Sequence, residues 1–457
     1  MPFFKNLMEL PRTFTCTLIS RSRTHLLLNL LLILTLFLLS SWLATHSLIV
    51  TATALASPFL FASNYVSSFS SISPSSTSFV TGLHGNWTLS SVSTIERTRW
   101  NSRKTQSDII SNLASCDIFD GTWVVDDTRA PLYPPGACLY IDENFNCFKN
   151  GRVDSDYLRY RWKPHGCSIP RLDGRKMLNM LRGKRLVFVG DSLSRNMWQS
   201  LVCALRESFK DKSRNNEGFG RRKFRTKGFY SFRFRDYKCS IDFIKSPFLV
   251  QELKASGKTG TQRGRLRLDM IQGSSSNYHN ADIIIFNTGH WWTHQKTFKG
   301  KHYFQEGSHV YDRLETKEAF PKALRTWAQW VDTRVDSNKT KVFFLGYSAS
   351  HFRGGQWNSG GSCLGQAQPI TNETYLASYP WMMNILESVL AEMKTPVFYL
   401  NVTKMTDYRK DGHPSIYRHP GMEGGHRKIQ DCSHWCLPGV PDSWNELLFA
   451  TLTNITP

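Results

Sequence analysis

Short apolar runs alternate with helical periodicity over most of the chain beyond residue 172. Leu186–Val189, Ile283–Phe286, Val342–Leu345 and Val397–Leu400 have the length and continuity of strands buried on both faces. Leu193–Leu205, Lys317–Val331 and Trp381–Met393 place their apolar residues at helical spacing, with Pro321 near the first turn of the second. The alternation predicts an α/β fold, a mostly parallel sheet with helices on both faces, whose active site forms at the carboxyl ends of the strands. A polar cluster follows each strand: Gly190-Asp191-Ser192, Asn287-Thr288-Gly289-His290, Gly346-Tyr347-Ser348, and Asn401 onward. Such repetition suits a site at the sheet edge.

Ser192 falls where the first of these strands hands over to a helix, across a turn that Gly190 permits. A hydroxyl there can stand clear of the sheet, and the free N–H groups and positive dipole end of the helix favour developing negative charge. Asp191 or Ser192 could instead simply cap the helix. A serine nucleophile needs a base and a group that orients the base. Asp431-Cys-Ser-His434 offers both, because a single turn can set the carboxylate against one imidazole nitrogen and leave the other for Ser192. A plain surface histidine is the alternative. Cys432 and Cys436 flank His434, and bridged to each other they would stiffen this loop. A Cys-x3-Cys could also hold zinc, but no second ligand pair stands out and no metal is assigned. The Ser192 N–H, the Asn287 side chain and the Gly289 N–H are the candidate oxyanion donors. Trp291 and Trp292 could wall an acyl or sugar site, or belong to the core. His290 and His294 stand four apart without a matching acid and receive no role.

The pattern before residue 110 is different. Lys5, Arg12, Arg21 and Arg23 precede Leu26–Leu43, eighteen residues without a charge, and charge stays absent until Glu96. That length suits one bilayer crossing, with residues 1–25 as a cytosolic tail and 26–48 as a signal anchor. Small residues at Ala44 and Ala54–Ser57 keep a cleaved signal peptide as the alternative. Nine of the twenty residues Phe61–Val80 are serine, a composition that cannot bury a core, so 49–114 reads as a flexible stem. Residues 115–170 are rich in Cys, Pro, Gly and aromatics and read as a stapled cap, and 171–457 as a catalytic α/β domain.

Nine of the ten cysteines follow the apolar run, as do the glycosylation acceptors Asn86, Asn338, Asn372, Asn401 and Asn454. Together they indicate an oxidising lumen and exclude nucleic acid as the partner of this basic chain. Of the net charge of +21, residues 1–109 hold +5 (eight bases, three acids), so +16 belongs to the remainder. An anionic membrane surface or an acidic polysaccharide fits that charge. Its densest part, Arg206–Lys238, includes Arg221, Arg222 and Arg225 among aromatics. It is either the floor of a groove for an anionic polymer or a solvated loop with an edge hairpin.

Gly190-Asp191-Ser192-Leu-Ser-Arg195-Asn196, together with Asp431-Cys-Ser-His434-Trp-Cys-Leu-Pro-Gly-Val-Pro-Asp-Ser-Trp-Asn, resembles the plant trichome birefringence-like family. These are Golgi polysaccharide O-acetyltransferases related to the Gly-Asp-Ser-Leu (SGNH-type) esterases. The likeness covers about residues 115–452 and includes Tyr160-Arg-Trp-Lys-Pro-His-Gly-Cys167. It implies a three-layer α/β/α sandwich, Ser192 as nucleophile, His434 as general base and Asp431 as its orienter. It also implies four disulfides, Cys116–Cys167, Cys138–Cys203, Cys147–Cys436 and Cys363–Cys432, which displace the local Cys432–Cys436 pairing and leave Cys239 as the free thiol. The implied protein is a single-pass type II Golgi membrane enzyme. It needs an acetyl donor (acetyl-CoA or another carrier) but no bound cofactor, takes pectin, xylan or mannan as acceptor, and can work beside other Golgi acetylation components. The same residues would serve a polysaccharide acetyl esterase. A non-catalytic polysaccharide-binding or bridging protein is the alternative from another class, and an intact Ser/His/Asp set argues against it.

Overall fold

The structure is a computed structural model that describes residues 32–36, 40, 116–209, 228–253, 264–419 and 430–455. The chain divides into two units, 1–89 and 90–457. In the first, 32–36 are helical and exposed. The expected tail, most of the anchor, the stem, Asn86, and Arg221, Arg222 and Arg225 lie outside the described residues. Among the described residues no helix is long and apolar enough to cross a membrane.

The second unit opens with a two-stranded antiparallel sheet, β1 (Gly121–Val125) and β2 (Tyr160–Pro164). The main sheet takes in β3 (Arg185–Gly190), β4 (Phe229–Phe234), β5 (Cys239–Lys245), β8 (Ile283–Phe286), β11 (Lys341–Leu345) and β12 (Val397–Leu400). A smaller sheet holds β6 (Val250–Leu253), β7 (Arg265–Ile271), β9 (Phe304–Glu306) and β10 (His309–Val310). The helices are α1 (Gly174–Met180), α2 (Ser192–Glu207), α3 (Thr316–Arg334), α4 (Trp381–Glu392), α5 (Thr403–Asp407) and α6 (Val440–Ile455). Pro321 lies inside α3, past its first turn, and the start of that helix is fixed by a capping box between Glu315 and Glu318.

The main sheet runs in the order β12-β11-β8-β3-β5-β4, parallel throughout except for β4. Its inner strands β3, β8 and β11 are buried on both faces, and successive side chains feed two different cores. Leu186 and Phe188 of β3 join the core that contains α2 and α6. Val187 and Val189 join the core built from α3, α4 and the smaller sheet. The alternation predicts a mostly parallel sheet with helices on both faces, and the family resemblance implies a three-layer α/β/α sandwich. Both are found, with all four strands read as apolar runs present.

The basic stretch takes another place than a groove floor, as far as it is described. Because β4 is antiparallel to β5, Phe234 pairs with Cys239 at the amino end of the parallel strands. Arg233, Arg235 and Lys238 therefore gather with Lys184 and Arg185 at the sheet edge opposite the Gly190–Ser192 turn. Here the edge-hairpin alternative holds.

All four disulfides implied by the family resemblance are present, and Cys239 is free and buried. Three of them involve the cap, and two of those tie it to α2 (Cys138–Cys203) and to the loop before α6 (Cys147–Cys436). The cap is also hydrogen-bonded into the domain: Trp123 Nε1 donates to the Met405 carbonyl at 2.7 Å, and Tyr133 Oη donates to Asp442 at 2.9 Å.

Asp442, in the first turn of α6, also accepts from Ser200 Oγ and from the Gly439 N–H. Burial raises its carboxyl to about 6 despite these donors. A raised carboxyl means that between about pH 4 and 6 the native chain binds a proton that the unfolded chain has released, so stability falls as pH rises through that window, by about 3 kcal/mol for this group. Asp442→Asn removes the ionisation. Its melting temperature is expected to improve relative to the wild type as pH goes from about 4 to about 6. A difference between the two proteins that stays constant over that range rules this assignment out.

Candidate active site

The strand β3 ends at Gly190, where a Cβ would lie 2.6 Å from the Asn287 carbonyl oxygen, so the loop after β8 can approach only a glycine here. Asp191 then caps α2: its Oδ1 accepts from the Leu193 N–H at 2.9 Å. The capping role thus falls to Asp191, and Ser192, the first residue of the helix, keeps its hydroxyl free for other work. The helix-cap reading of Gly-Asp-Ser applies to Asp191 and not to Ser192.

Ser192 Oγ lies 2.6 Å from His434 Nε2, and His434 Nδ1 lies 2.7 Å from Asp431 Oδ2. The other carboxylate oxygen of Asp431 accepts from the N–H groups of Ser433 and His434. Burial alone would raise the Asp431 carboxyl. The adjacent His434 and these hydrogen bonds outweigh it and hold the group well below the usual carboxylate range. Asp431 is therefore an anion that favours the Nδ1–H tautomer of His434 and leaves Nε2 to accept a hydrogen bond from the Ser192 hydroxyl.

The loop that carries His434 is bound on several sides. Asn196, one turn along α2 from Ser192, accepts from the Trp435 N–H at 2.8 Å and donates to the Trp435 carbonyl at 3.1 Å. Trp435 Nε1 donates to Ser348 Oγ, beyond the end of β11. Ser415 and Asp431 exchange backbone hydrogen bonds, and the Cys363–Cys432 and Cys147–Cys436 bridges hold both ends. Cys432 and Cys436 do not pair with each other, and with both sulfurs in disulfides neither can be a zinc ligand.

The cleft above Ser192 is walled by His290, Trp291, Lys296, Tyr347, Trp357 and Arg418. Trp357 is 41% exposed, while Trp292 is 3% exposed and packs in the core with Phe304 and Phe320. Trp291 is thus a wall and Trp292 is not. Lys296 Nζ lies 4.4 Å from the Trp291 ring and 5.4 Å from the Trp357 ring. Burial, against the pull of Asp191, lowers its pKa, with Lys245 adding to the effect. Among the described residues no carboxylate forms an ion pair with Lys296 or Arg418.

Two of the expected oxyanion donors sit elsewhere. Asn287 is fully buried and donates to the Leu345 carbonyl at 3.3 Å, while Gly289, at φ +140°, gives room to the Tyr347 ring. Neither lines the cleft, which leaves the Ser192 N–H at the start of α2. Arg195 faces the cap, paired with Asp142 at 3.2 Å and lying over the Phe145 ring, which itself contacts His434.

His290 acquires a role that its sequence spacing did not suggest. Its Nδ1 meets Asp191 Oδ2 at 3.2 Å, its Nε2 meets the Ser348 carbonyl at 2.8 Å, and its ring stacks on Tyr347. It ties the polar clusters after β3, β8 and β11 together. His294, four residues on, is exposed. Of the sequons, Asn338, Asn372 and Asn454 are exposed and Asn401 is half-buried.

Residues 169–451 match the GDSL/SGNH-like acyl-esterase family found in Pmr5 and Cas1p, and residues 114–168 match the PMR5 N terminal domain. Protein trichome birefringence-like 4 of Arabidopsis thaliana is 58% identical over 90% of this chain and 89% of its own length. Two further Arabidopsis thaliana proteins, trichome birefringence-like 1 and trichome birefringence, are each 58% identical over 75% of this chain, but the match spans only 62% and 57% of their lengths. With its acyl-esterase domain, its PMR5 N terminal domain and this degree of identity, the chain belongs to the trichome birefringence-like family.

Proposed function

We propose that this protein is a polysaccharide O-acetyltransferase that works by double displacement at Ser192. The observation that carries the reading is the hydrogen-bonded line from Asp431 through His434 to Ser192, set at the foot of a cleft with aromatic walls. His434 Nε2 takes the hydroxyl proton as Ser192 Oγ attacks the carbonyl of an acetyl donor, acetyl-CoA or another carrier. The oxyanion develops beside the Ser192 N–H and the positive end of α2. When the tetrahedral intermediate collapses, the donor's leaving group departs with the proton from His434 and leaves acetyl-Ser192. A glycan hydroxyl then gives its proton to His434 and attacks the acetyl carbonyl, and Ser192 leaves and recovers its proton.

The acceptor class is a cell-wall polysaccharide, and the cleft favours one that bears uronic acid, such as pectin, over neutral xylan or mannan. Trp291 and Trp357 offer faces for sugar rings, and Lys296 and Arg418 offer cations without a carboxylate partner among the described residues. The place of work is the Golgi lumen, with the chain anchored as a single-pass type II membrane protein. The four disulfides and the exposed sequons support that compartment.

A second reading, hydrolysis of glycan acetyl esters, is favoured by access of water: the His434 side chain is 24% exposed in an open cleft. Products separate the two readings. Full-length protein incubated with donor should carry one acetyl group on the Ser192 peptide and pass it to acceptor glycan. Release of acetate from acetylated glycan, with no transfer, would establish the esterase instead.

Ser192→Ala should show neither the acetyl-enzyme nor transfer. Asp431→Asn should keep the fold and lose about 10³–10⁴ in kcat, because the imidazole tautomer is no longer fixed. Transfer by Ser192→Ala at the wild-type rate would exclude the mechanism. Lys296→Ala should raise KM about tenfold for a uronate-bearing acceptor and leave KM for a neutral one unchanged. Equal effects on both acceptors would exclude carboxylate recognition by Lys296.

A further inference from the structure

Against the backbone of the loop that carries His434 lies a pair of histidines in direct contact. His351 Nδ1 and His413 Nε2 are 2.7 Å apart. The outer nitrogens face backbone carbonyls: His351 Nε2 meets that of Asp407 at 2.8 Å, and His413 Nδ1 meets that of His434 at 2.7 Å. The His413 ring stacks on Trp435 with centroids 4.1 Å apart. The His351 N–H donates to the Cys432 carbonyl, so the pair grips the triad loop at two points.

Carbonyls only accept, so each outer nitrogen must carry a proton. The inner contact needs one more, shared between the rings. Three hydrogen bonds therefore require three ring protons, whereas two neutral imidazoles hold two. The full network exists only when the pair carries one additional proton. Without it, two lone pairs face each other across 2.7 Å or one outer bond is given up.

We infer that His413, oriented by His351, is a positioning residue that fixes the His434 backbone and hence the distance from His434 Nε2 to Ser192, and that its hold depends on the proton shared between the two rings. The charged and titratable groups around the pair come from four elements. Asp407 of α5 approaches His351 Nε2 at 3.5 Å, and Asp431 and His434 lie on the triad loop. Arg152 of the cap donates to the His413 carbonyl and is paired with Asp154, and the buried Arg409–Asp411 pair lies just before His413. Burial, reinforced by His351, holds the His413 pKa well below that of a free histidine, so the additional proton is weakly held and is lost as pH rises.

The inference rests on the Ser192–His434 pairing but not on the identity of donor or acceptor, and a fluorophosphonate probe tests it on that ground. In labelling, the bond from Ser192 Oγ to phosphorus forms, the P–F bond breaks, and the hydroxyl proton passes to His434. Maximal labelling rate and half-saturating probe concentration would be measured against pH for the full-length wild type, His413→Ala, His413→Asn and His351→Gln, with folding checked by thermal melting.

His413→Ala should lower the maximal rate about 100-fold and leave half-saturation within about twofold, because the base is displaced while the cleft is intact. His413→Asn, whose amide can replace the Nδ1–H donor, should recover the rate to within about fivefold of wild type. His351→Gln can donate to His413 Nε2 without an additional proton, so one inflection in the wild-type profile should vanish. The proposal is overturned if Asn at 413 does no better than Ala, or if the His351→Gln and wild-type profiles superimpose. Should His413→Ala fail to fold, the His351→Gln profile decides alone. A wild type that labels but transfers no acetyl group would count against the proposed function and leave this inference standing.

Discussion

The hydrogen bond between Ser192 and His434 joins residues 242 positions apart, and the rest of the structure can be understood as what keeps that contact short. A side chain at the end of a surface loop would ordinarily lose the contact to thermal motion, and the proposed general-base step would tolerate little displacement. Here the two sides are fixed by different means. Ser192 is held by a parallel strand and a capped helix, so regular backbone geometry places its hydroxyl. His434 has no regular element of its own. It is placed by Asp431, by the paired hydrogen bonds of Asn196, by Trp435 reaching Ser348, and by bridges to Cys147 and Cys363. Hydrogen bonds and covalent links substitute for secondary structure exactly where none is available.

That difference explains what the sequence could reveal. Three of the four apolar strands were legible because burial on both faces imposes continuous apolar runs. The half-buried Val397–Leu400 is apolar as well, and helix amphipathicity gives the three helices their period. Ser192, Asp431 and His434 were legible as residue types at workable spacing, and the likeness of two long motifs to a known family supported them. Cap pairings such as Cys147 with Cys436 came from that likeness alone, since spacing leaves many connectivities open. The smaller sheet was missed: its strands are two to seven residues long and several of their positions are exposed, so no periodic signal accumulates. The basic stretch was half resolved, because charge density says nothing about which edge of a sheet an antiparallel strand delivers it to.

Asn287 and His290 mark a subtler limit. Both lie in the polar cluster after β8, and sequence position made Asn287 the better oxyanion donor. Direction decided otherwise. Asn287 turns inward beneath Gly190, and His290 turns toward Asp191 and Ser348. Side chains in one irregular loop diverge according to local backbone angles, which a residue pattern does not encode. His351 and His413 were invisible for the same reason: they are distant in sequence, lie in no motif, and meet only through the fold.

The cap is better regarded as part of the active site than as a separate module. Phe145 of the cap lies against the His434 ring and under Arg195, so His434 has a cap residue for a neighbour. Arg152 carries its charge inward to the carbonyls of Asp411 and His413, with its other face on Tyr157. From the opposite direction Arg409, paired at 2.8 Å with each oxygen of Asp411, donates to the Tyr157 carbonyl and lies over Trp123. Two buried guanidinium groups are costly to desolvate, and apolar side chains of similar volume would serve stability as well or better. What apolar contacts cannot do is hold carbonyl oxygens at fixed positions. Arginines with several directional donors can: Arg152 of the cap holds the carbonyls of Asp411 and His413, and Arg409, just before them, holds that of Tyr157 in the cap. Removing the cap would therefore leave Ser192 on its strand and helix, while the His434 loop lost the Cys147 bridge, the Phe145 contact and the Arg152 hydrogen bond to His413.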